Sequence, residues 1–300
     1  MKRIGLIRTC FEIILMIVVV ILAMVVHQKK NQEPSQYSWY QNVVHSVPTN
    51  EKVVALTYDD GPHPVYTRQI LDILDQYHVK ATFFMIGNLM DKYPDIVKEV
   101  LKRGHVIANH TYTHPGNIES NTSAQVIREL DQCEQVIEKM TGGRANFFRP
   151  PRGLIDSTVF SIAQDEGYQT ILWTVSADHH DAPTPELMAE RVLKLNRPGG
   201  IILAHDGSFP TRWKDVAATP LIIERLKKQG YRFVTIPELL KIGAKHPYAR
   251  SSLKHYEWMM IIRCLKSNSK SKLLRSPFRI QPFFSQINGT VMVNISQGLR

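Results

Sequence analysis

The chain is poor in the features that would assign it to several common classes. Its 300 residues include only three cysteines, Cys10, Cys133 and Cys264, with no CxxC pair. That excludes a disulfide framework or a thiolate zinc site as the organising principle. No glycine-rich phosphate loop follows the first apolar strand, which argues against a nucleotide-binding fold, and no internal repeat is present. The body of the chain also lacks a basic surplus. Of the formal charge of +10, residues 1–30 contribute five Lys/Arg against one Glu, and 246–300 contribute nine against one. The remaining 31–245 hold 23 bases against 25 acids, so no nucleic-acid partner is expected.

One long apolar run is present, from Cys10 to Val26, interrupted only by Glu12. Lys2, Arg3 and Arg8 precede it, and Ile4–Ile7 can extend it toward spanning length. Basic residues ahead of the run favour a cytoplasmic N-terminus, although Lys29 and Lys30 follow it. The expectation is a single-pass membrane helix over 1–27 with an extracytoplasmic body. The alternative is a cleaved signal segment and a secreted protein, but no A-x-A-like site is visible. Residues 28–50 are polar with Pro34 and Pro48 and read as a linker. Residues 51–245 are expected to form the folded domain, and 246–300 a basic, disordered tail.

Within the domain, strand and helix patterns alternate. Apolar runs fall at 53–58, 81–86, 106–108, 146–148, 170–175, 200–204 and 232–236. Between them lie helical faces such as Ile70, Leu71, Leu74 and Tyr77, or Val126, Leu130, Cys133, Ile137 and Met140. The latter series makes Cys133 a buried thiol rather than a ligand. Leu187, Val192 and Leu195 mark a further face, and helix stops stand at Gly104, Gly142, Gly167 and Gly230. Seven β units separated by helices imply an α/β fold with parallel strands, as an open sheet or a barrel. Polar residues just past successive strand ends favour a barrel with its site at the open mouth.

Those strand ends carry the chemistry. Asp59-Asp60-Gly61-Pro62 follows the first strand, and His110-Thr-Tyr-Thr-His114 follows the third. On a helical turn, residues i and i+4 share a face and can hold one cation. Two imidazoles and one carboxylate fill three positions on a divalent ion and leave room for water and substrate, and the other aspartate is then free to act as a base. Arg149, after the fourth strand, suits the orientation of a carboxylate. His205 stands at the end of the sixth.

As an ordered set, TYDDGP, HTYTH, RPPRG, LWTVSAD and ILAHDG resemble the five motifs of the polysaccharide deacetylase family, carbohydrate esterase family 4, over roughly residues 50–241. The resemblance implies a distorted (β/α)7 barrel and a divalent metal, zinc first, with cobalt or another ion as alternatives. It makes Asp60, His110 and His114 the ligands, Asp59 the general base, Arg149 its holder and His205 the general acid. Leu203 lines the acetyl pocket, and Arg152 and Trp173 face the substrate. Two departures stand out. Arg152 replaces a frequent aromatic residue. The fourth motif has no Asp-Trp, so Asp178 or Asp181 orients His205, with Asp178 the first candidate.

The implied activity is removal of acetyl groups from an N-acetylated polysaccharide, either peptidoglycan or a chitin-like glycan. The alternatives are an O-acetyl esterase on a glycan such as xylan, and a wall-binding protein that has kept the fold without turnover.

Overall fold

The computed structural model describes residues 38–245 apart from Ser208. The expected anchor at 1–27 and tail at 246–300 lie outside the described residues. Among the described residues, no helix is long and apolar enough to cross a membrane.

The architecture is a curled, parallel sheet flanked by helices. Its strands are β1 (Val53–Asp59), β2 (Thr82–Met85), β3 (Val106–Asn109), β4 (Phe147–Phe148), β5 (Gln169–Thr170), β6 (Val175–Ser176), β7 (Gly200–His205) and β8 (Arg232–Val234). The order is β5-β4-β3-β2-β1-β7-β6, with β8 added to β1. All the pairings are parallel, as short strands joined by helical crossovers require.

The central strand β1 is buried along its whole length. It pairs with β7 over Val54–Asp59 and shares its other edge between two partners, β8 over Val53–Ala55 and β2 over Thr57–Asp59. Alternation along β1 separates its two faces. Tyr58 stacks on Phe83 at 5.2 Å and shares a hydrogen bond with Thr219, toward the helices. Thr57 and Asp59 take the opposite face.

The main helices are α1 (Tyr66–Gln76), α2 (Gly87–Lys92), α3 (Pro94–Lys102), α4 (Ser123–Thr141), α5 (Ser157–Asp165), α6 (Pro185–Leu195), α7 (Trp213–Lys228) and α8 (Ile236–Ala244). Side chains cap several of them. Thr122 and Gln125 form a capping box on α4, Thr235 and Glu238 another on α8, and Asp156 and Thr184 cap α5 and α6. The anticipated faces of α1 and α4 are buried, and α3 buries Ile96, Val97 and Val100. On α6 the buried stripe is Met188, Ala189 and Val192 instead. Leu187 stands five residues before Val192, off that stripe, and Leu195 ends the last turn, so both are exposed.

Three further expectations are corrected. The run 170–175 is two short strands, because Ile171–Thr174 leaves β4 and crosses to β7. Ile171 N–H donates to Phe148 O, and Thr174 N–H donates to Ile201 O. The last strand stops at Val234, because Thr235 caps α8. The linker is folded from Ser38 onward. Val43 and Val47 are buried, Val44 bridges Ile171, Ser46 bridges Gly200, and Trp39 packs on Phe160 at 5.4 Å. The segment thus straps the seam between β5 and β7, and the valines were the overlooked signal in its polar stretch.

His105 gives the fold a pH dependence. It is buried, its Nδ1 accepts the Ala81 N–H at 3.1 Å, and its Nε2 has no partner. Burial, reinforced by the Lys80 charge, lowers its pKa from 6.5 to about 4. Between those values the unfolded chain binds a proton that the folded one does not. The contribution is therefore complete above pH 6.5 and lost as pH falls toward 4, by on the order of 3 kcal/mol. Urea unfolding of the wild type and His105→Gln across this window measures it. The variant is expected to show a shallower loss, and identical slopes would remove His105 as the cause.

Candidate active site

The strand register assembles the site at the C-terminal edge of the sheet. Asp59 on β1 is paired with His205 on β7, and paired residues of neighbouring parallel strands face the same side. His110 N–H donates to Met85 O and Arg149 N–H to Asn109 O, which continues the ladder into the loops. Every residue after a strand end thus starts from a fixed point.

The loops themselves are strained. Among the described residues, five non-glycine residues have positive φ: Asp60, His78, Thr111, His114 and Arg152. Four of them lie in this site, the pattern expected where function rather than stability sets the backbone. His110–His114 is accordingly an irregular turn rather than the helical turn anticipated. Neighbouring side chains hold it. Asn109 Oδ1 accepts the Thr111 N–H at 2.9 Å, and Glu129 accepts from Tyr112 N, Thr113 N and the Thr113 hydroxyl. Opposite, Gly207 packs so closely that an added Cβ would stand 1.9 Å from Asp60 O. Only glycine permits that approach.

Asp60, His110 and His114 converge, their ligand atoms all within 4.8 Å of one another. Asp60 Oδ1 lies 3.2 Å from His114 Nε2 and 3.4 Å from His110 Nε2. Atoms held 2.0–2.1 Å from a common tetrahedral centre lie about 3.3 Å apart, so the group fits a small divalent ion. The donor chemistry fits as well. His110 Nδ1 donates to Arg149 O at 2.7 Å, which fixes the tautomer and leaves Nε2 as the lone-pair nitrogen. Burial and the neighbouring His110 lower the His114 pKa, favouring the neutral imidazole that binds metal. Burial opposes the charge of Asp60, but contacts with His110 and the nearby histidines outweigh it and hold its carboxyl well below the usual range.

Beside this group, Arg149 is fully buried and fully engaged. Its guanidinium donates to Asp59 Oδ1 at 2.6 Å, to Thr57 Oγ1 at 3.0 Å, and to Ile171 O and Leu172 O at 3.1 Å each. It also lies 3.9 Å above the Phe84 ring. Asp59 Oδ2 is left facing His110 Nε2 at 3.8 Å. A carboxylate held through one oxygen presents the other to the mouth as a proton acceptor.

His205 Nδ1 lies 2.9 Å from Asp178 Oδ2, a close ionic contact that falls short of an aligned hydrogen bond. Burial lowers the His205 pKa, but Asp178 outweighs it and leaves the value raised. The alternative partner, Asp181, instead pairs with His179 and Arg191. Leu203 is buried on β7, and Arg152 is exposed in the turn Pro151–Gly153. Trp173 is half-buried between Gly153 and Arg149, a wall of the site as much as a contact surface.

Three participants were not singled out in the sequence, although Asp206 lies inside the ILAHDG motif. Arg212 and Asp215, near the start of α7, contact Asp178 and the His205 backbone N–H respectively. Asp206 is fully buried and accepts from the Thr67 hydroxyl at 2.6 Å. Burial, opposed by that hydroxyl and reinforced by Asp60 and Asp59, pushes its pKa up to about 7. Asp178, His205 and Asp215 also cluster tightly, but the Arg212 guanidinium already supplies the cation there.

Residues 46–171 match the family described as Polysaccharide deacetylase. A peptidoglycan-N-acetylglucosamine deacetylase of Bacillus cereus is 44% identical over 216 residues, covering 71% of this chain and 97% of that protein. The chain belongs to the polysaccharide deacetylase family. A second family member, a peptidoglycan-N-acetylmuramic acid deacetylase of Bacillus subtilis, is 34% identical and covers 64% of this chain and 73% of its own length. The solved structure of the Bc1960 peptidoglycan N-acetylglucosamine deacetylase superposes with a TM-score of 0.65 at 35% identity, covering 68% of this chain and 96% of that one. A Bacillus anthracis family member described as a pseudoenzyme has a TM-score of 0.61 at 32% identity, covering 67% and 69%. Within this family the fold alone therefore does not decide turnover, and the individual side chains must.

The two aspartates should separate on substitution. Asp60→Asn is expected to weaken zinc binding by more than the roughly 10–100-fold that loss of an outer partner costs. Asp59→Asn should keep the metal and lose turnover by about 10²–10⁴-fold. Metal analysis after dialysis, alongside rate measurements, checks this. Two variants equally replete and equally active would refute the division of roles.

Proposed function

We propose that this chain is a zinc-dependent N-deacetylase of peptidoglycan amino sugars, built as the distorted (β/α)7 barrel of its family. The observation that carries the reading is the placement of two oriented pairs around one ligand group. Asp59 and His205, on the neighbouring strands β1 and β7, are each held by a partner, Arg149 and Asp178, beside Asp60, His110 and His114. The names of the similar proteins supply the substrate class.

Asp60, His110 and His114 would hold a divalent ion, which would supply Lewis acidity toward the acetyl carbonyl. The rest is the work of the protein's own groups. Water attacks the acetyl carbon while Asp59 takes its proton. As the carbon–nitrogen bond breaks, His205 donates a proton to the departing nitrogen, and acetate and a free amine result. An amine leaves poorly unless protonated, so an amidase needs His205 more than an esterase does. The raised pKa of His205 keeps it protonated to higher pH, as that role demands.

A shallow groove of about 380 Å³ beside the mouth suits a glycan. It is lined by Pro62, His63 and Tyr66 after Asp60, by Phe209 after His205, and by Leu89 and Tyr93 of α2 and its C-terminus. Exposed aromatic faces with polar edges match the alternating apolar and hydroxylated surfaces of pyranose rings. Because peptidoglycan lies outside the cytoplasm, the same reading assigns the apolar run at 10–26 to anchoring or export.

The test is acetate release by the purified protein from peptidoglycan, N-acetylglucosamine oligomers and acetylxylan, with and without zinc. Zinc-dependent release from the first two is expected. Release from acetylxylan alone would favour the esterase, and none from any substrate a binding protein. His205→Ala should then slow N-deacetylation strongly and hydrolysis of an activated aryl acetate much less. Equal losses would remove it as the leaving-group acid.

A further inference from the structure

Arg212 lies outside every motif that marks the site, yet it touches both halves of it. It closes the short turn Pro210–Arg212 ahead of α7 and is buried. Its Nε donates to Gly207 O at 3.1 Å. One terminal nitrogen donates to Asp178 Oδ2 and lies 3.6 Å from Asp215 Oδ2, and the other lies 3.6 Å from Asp60 Oδ2. Three carboxylates thus converge on one guanidinium.

The consequence concerns His205. Asp178 Oδ2 faces both His205 Nδ1 and Arg212, but only the Arg212 contact is an aligned hydrogen bond. The other carboxylate oxygen accepts from the Ser176 hydroxyl at 2.9 Å. Ser176 and Arg212 therefore fix the carboxylate, and the imidazole follows it. Asp215 Oδ1 meanwhile accepts the His205 N–H at 3.1 Å and anchors the backbone.

We propose that Arg212 is a positioning residue for protonation of the leaving amine: it sets Asp178, which holds the His205 Nδ1–H and so turns Nε2, the nitrogen that carries the donated proton in the acid form, toward the substrate. This rests on the N-deacetylase reading above. Arg212 reaches the Oδ2 of Asp60, whereas Oδ1 faces the imidazoles, so its effect on metal binding is expected to be small.

The experiment uses the full chain with Arg212→Met, Arg212→Lys, Asp178→Asn and the Arg212→Met/Asp178→Asn double variant. Rates are measured on an N-acetylglucosamine oligomer and an activated aryl acetate. Arg212→Met should lose about 100-fold on the amide, the lower end of what a general acid contributes, and under about threefold on the ester. Arg212→Lys should recover part of the loss. The double variant should be no worse than the poorer single, since the two residues act through one contact. Zinc affinity should stay within about threefold. In the metal-free protein, ¹⁵N shifts of the His205 ring should report Nδ1 protonation in the wild type and a mixture of tautomers in Arg212→Met.

Multiplying losses, equal losses on both substrates, zinc affinity falling in step with activity, or an unchanged tautomer would each overturn the proposal. Should Arg212→Met fail to fold, the Lys and Asp178→Asn variants carry the same comparison. A wild type that releases no acetate sinks the functional reading instead, and the tautomer measurement still decides the role of Arg212.

Discussion

The structure depends most on the buried pair of Arg149 and Asp59. A fully buried guanidinium is tolerable only when its charge is matched and its donors are used. Here one carboxylate, one hydroxyl and two backbone carbonyls take its donors. Those partners come from β1 and from the seam where the sheet passes from β5 to β6. The same contacts that satisfy the charge therefore join the central strand to the edge of the sheet. The Arg149 main-chain carbonyl also fixes His110. A single residue thereby sets Asp59 through its side chain and His110 through its backbone, and these two parts of the site cannot drift apart independently.

Around this pair the site divides by exposure. Asp59, Asp60, His110 and Arg149 are buried, whereas the side chains of His114, His205 and Asp178 are about a fifth exposed. The Arg149–Asp59 ion pair lies deep, where low dielectric strengthens each contact. The Asp178–His205 pair lies at the rim, open to an entering molecule. Asp206, buried with one oxygen unpartnered, sits against Gly61 and completes the packing under the first loop.

Much of this was legible in the sequence because the chemistry follows strand ends. Asp59-Asp60, His110, Arg149 and His205 all stand within two positions of the end of an apolar run, and such runs are the strongest local signal a chain carries. What escaped was set by tertiary contact. The His110–His114 spacing suggested a helical turn, but Glu129 and Asn109 hold it in an irregular loop. Val43 and Val47 looked like linker residues because their partners, the sheet seam and Gly199, are more than a hundred positions away. Arg212 lies in a turn without periodicity, and nothing local distinguishes it from a surface cation. Asp178 was only the first of two candidates in sequence, and the fold separates them by setting Asp178 beside His205 and Asp181 beside His179 and Arg191.

The shared edge of β1 has a mechanical implication. Because β8 occupies the lower part of that edge and β2 the upper part, β1 and β2 are zipped together near Asp59 and parted below Thr57. Irregularity in the sheet is thereby confined to the end remote from the chemistry. The lip around Asp59 and His205 is stiff, tied by consecutive ladder bonds on both sides of β1. The opposite end is a splice where a different strand has been let in. Changes of length or composition in the β8 region can be absorbed there without levering Asp59 and His205 out of line, which leaves that end of the domain the freer one to diversify.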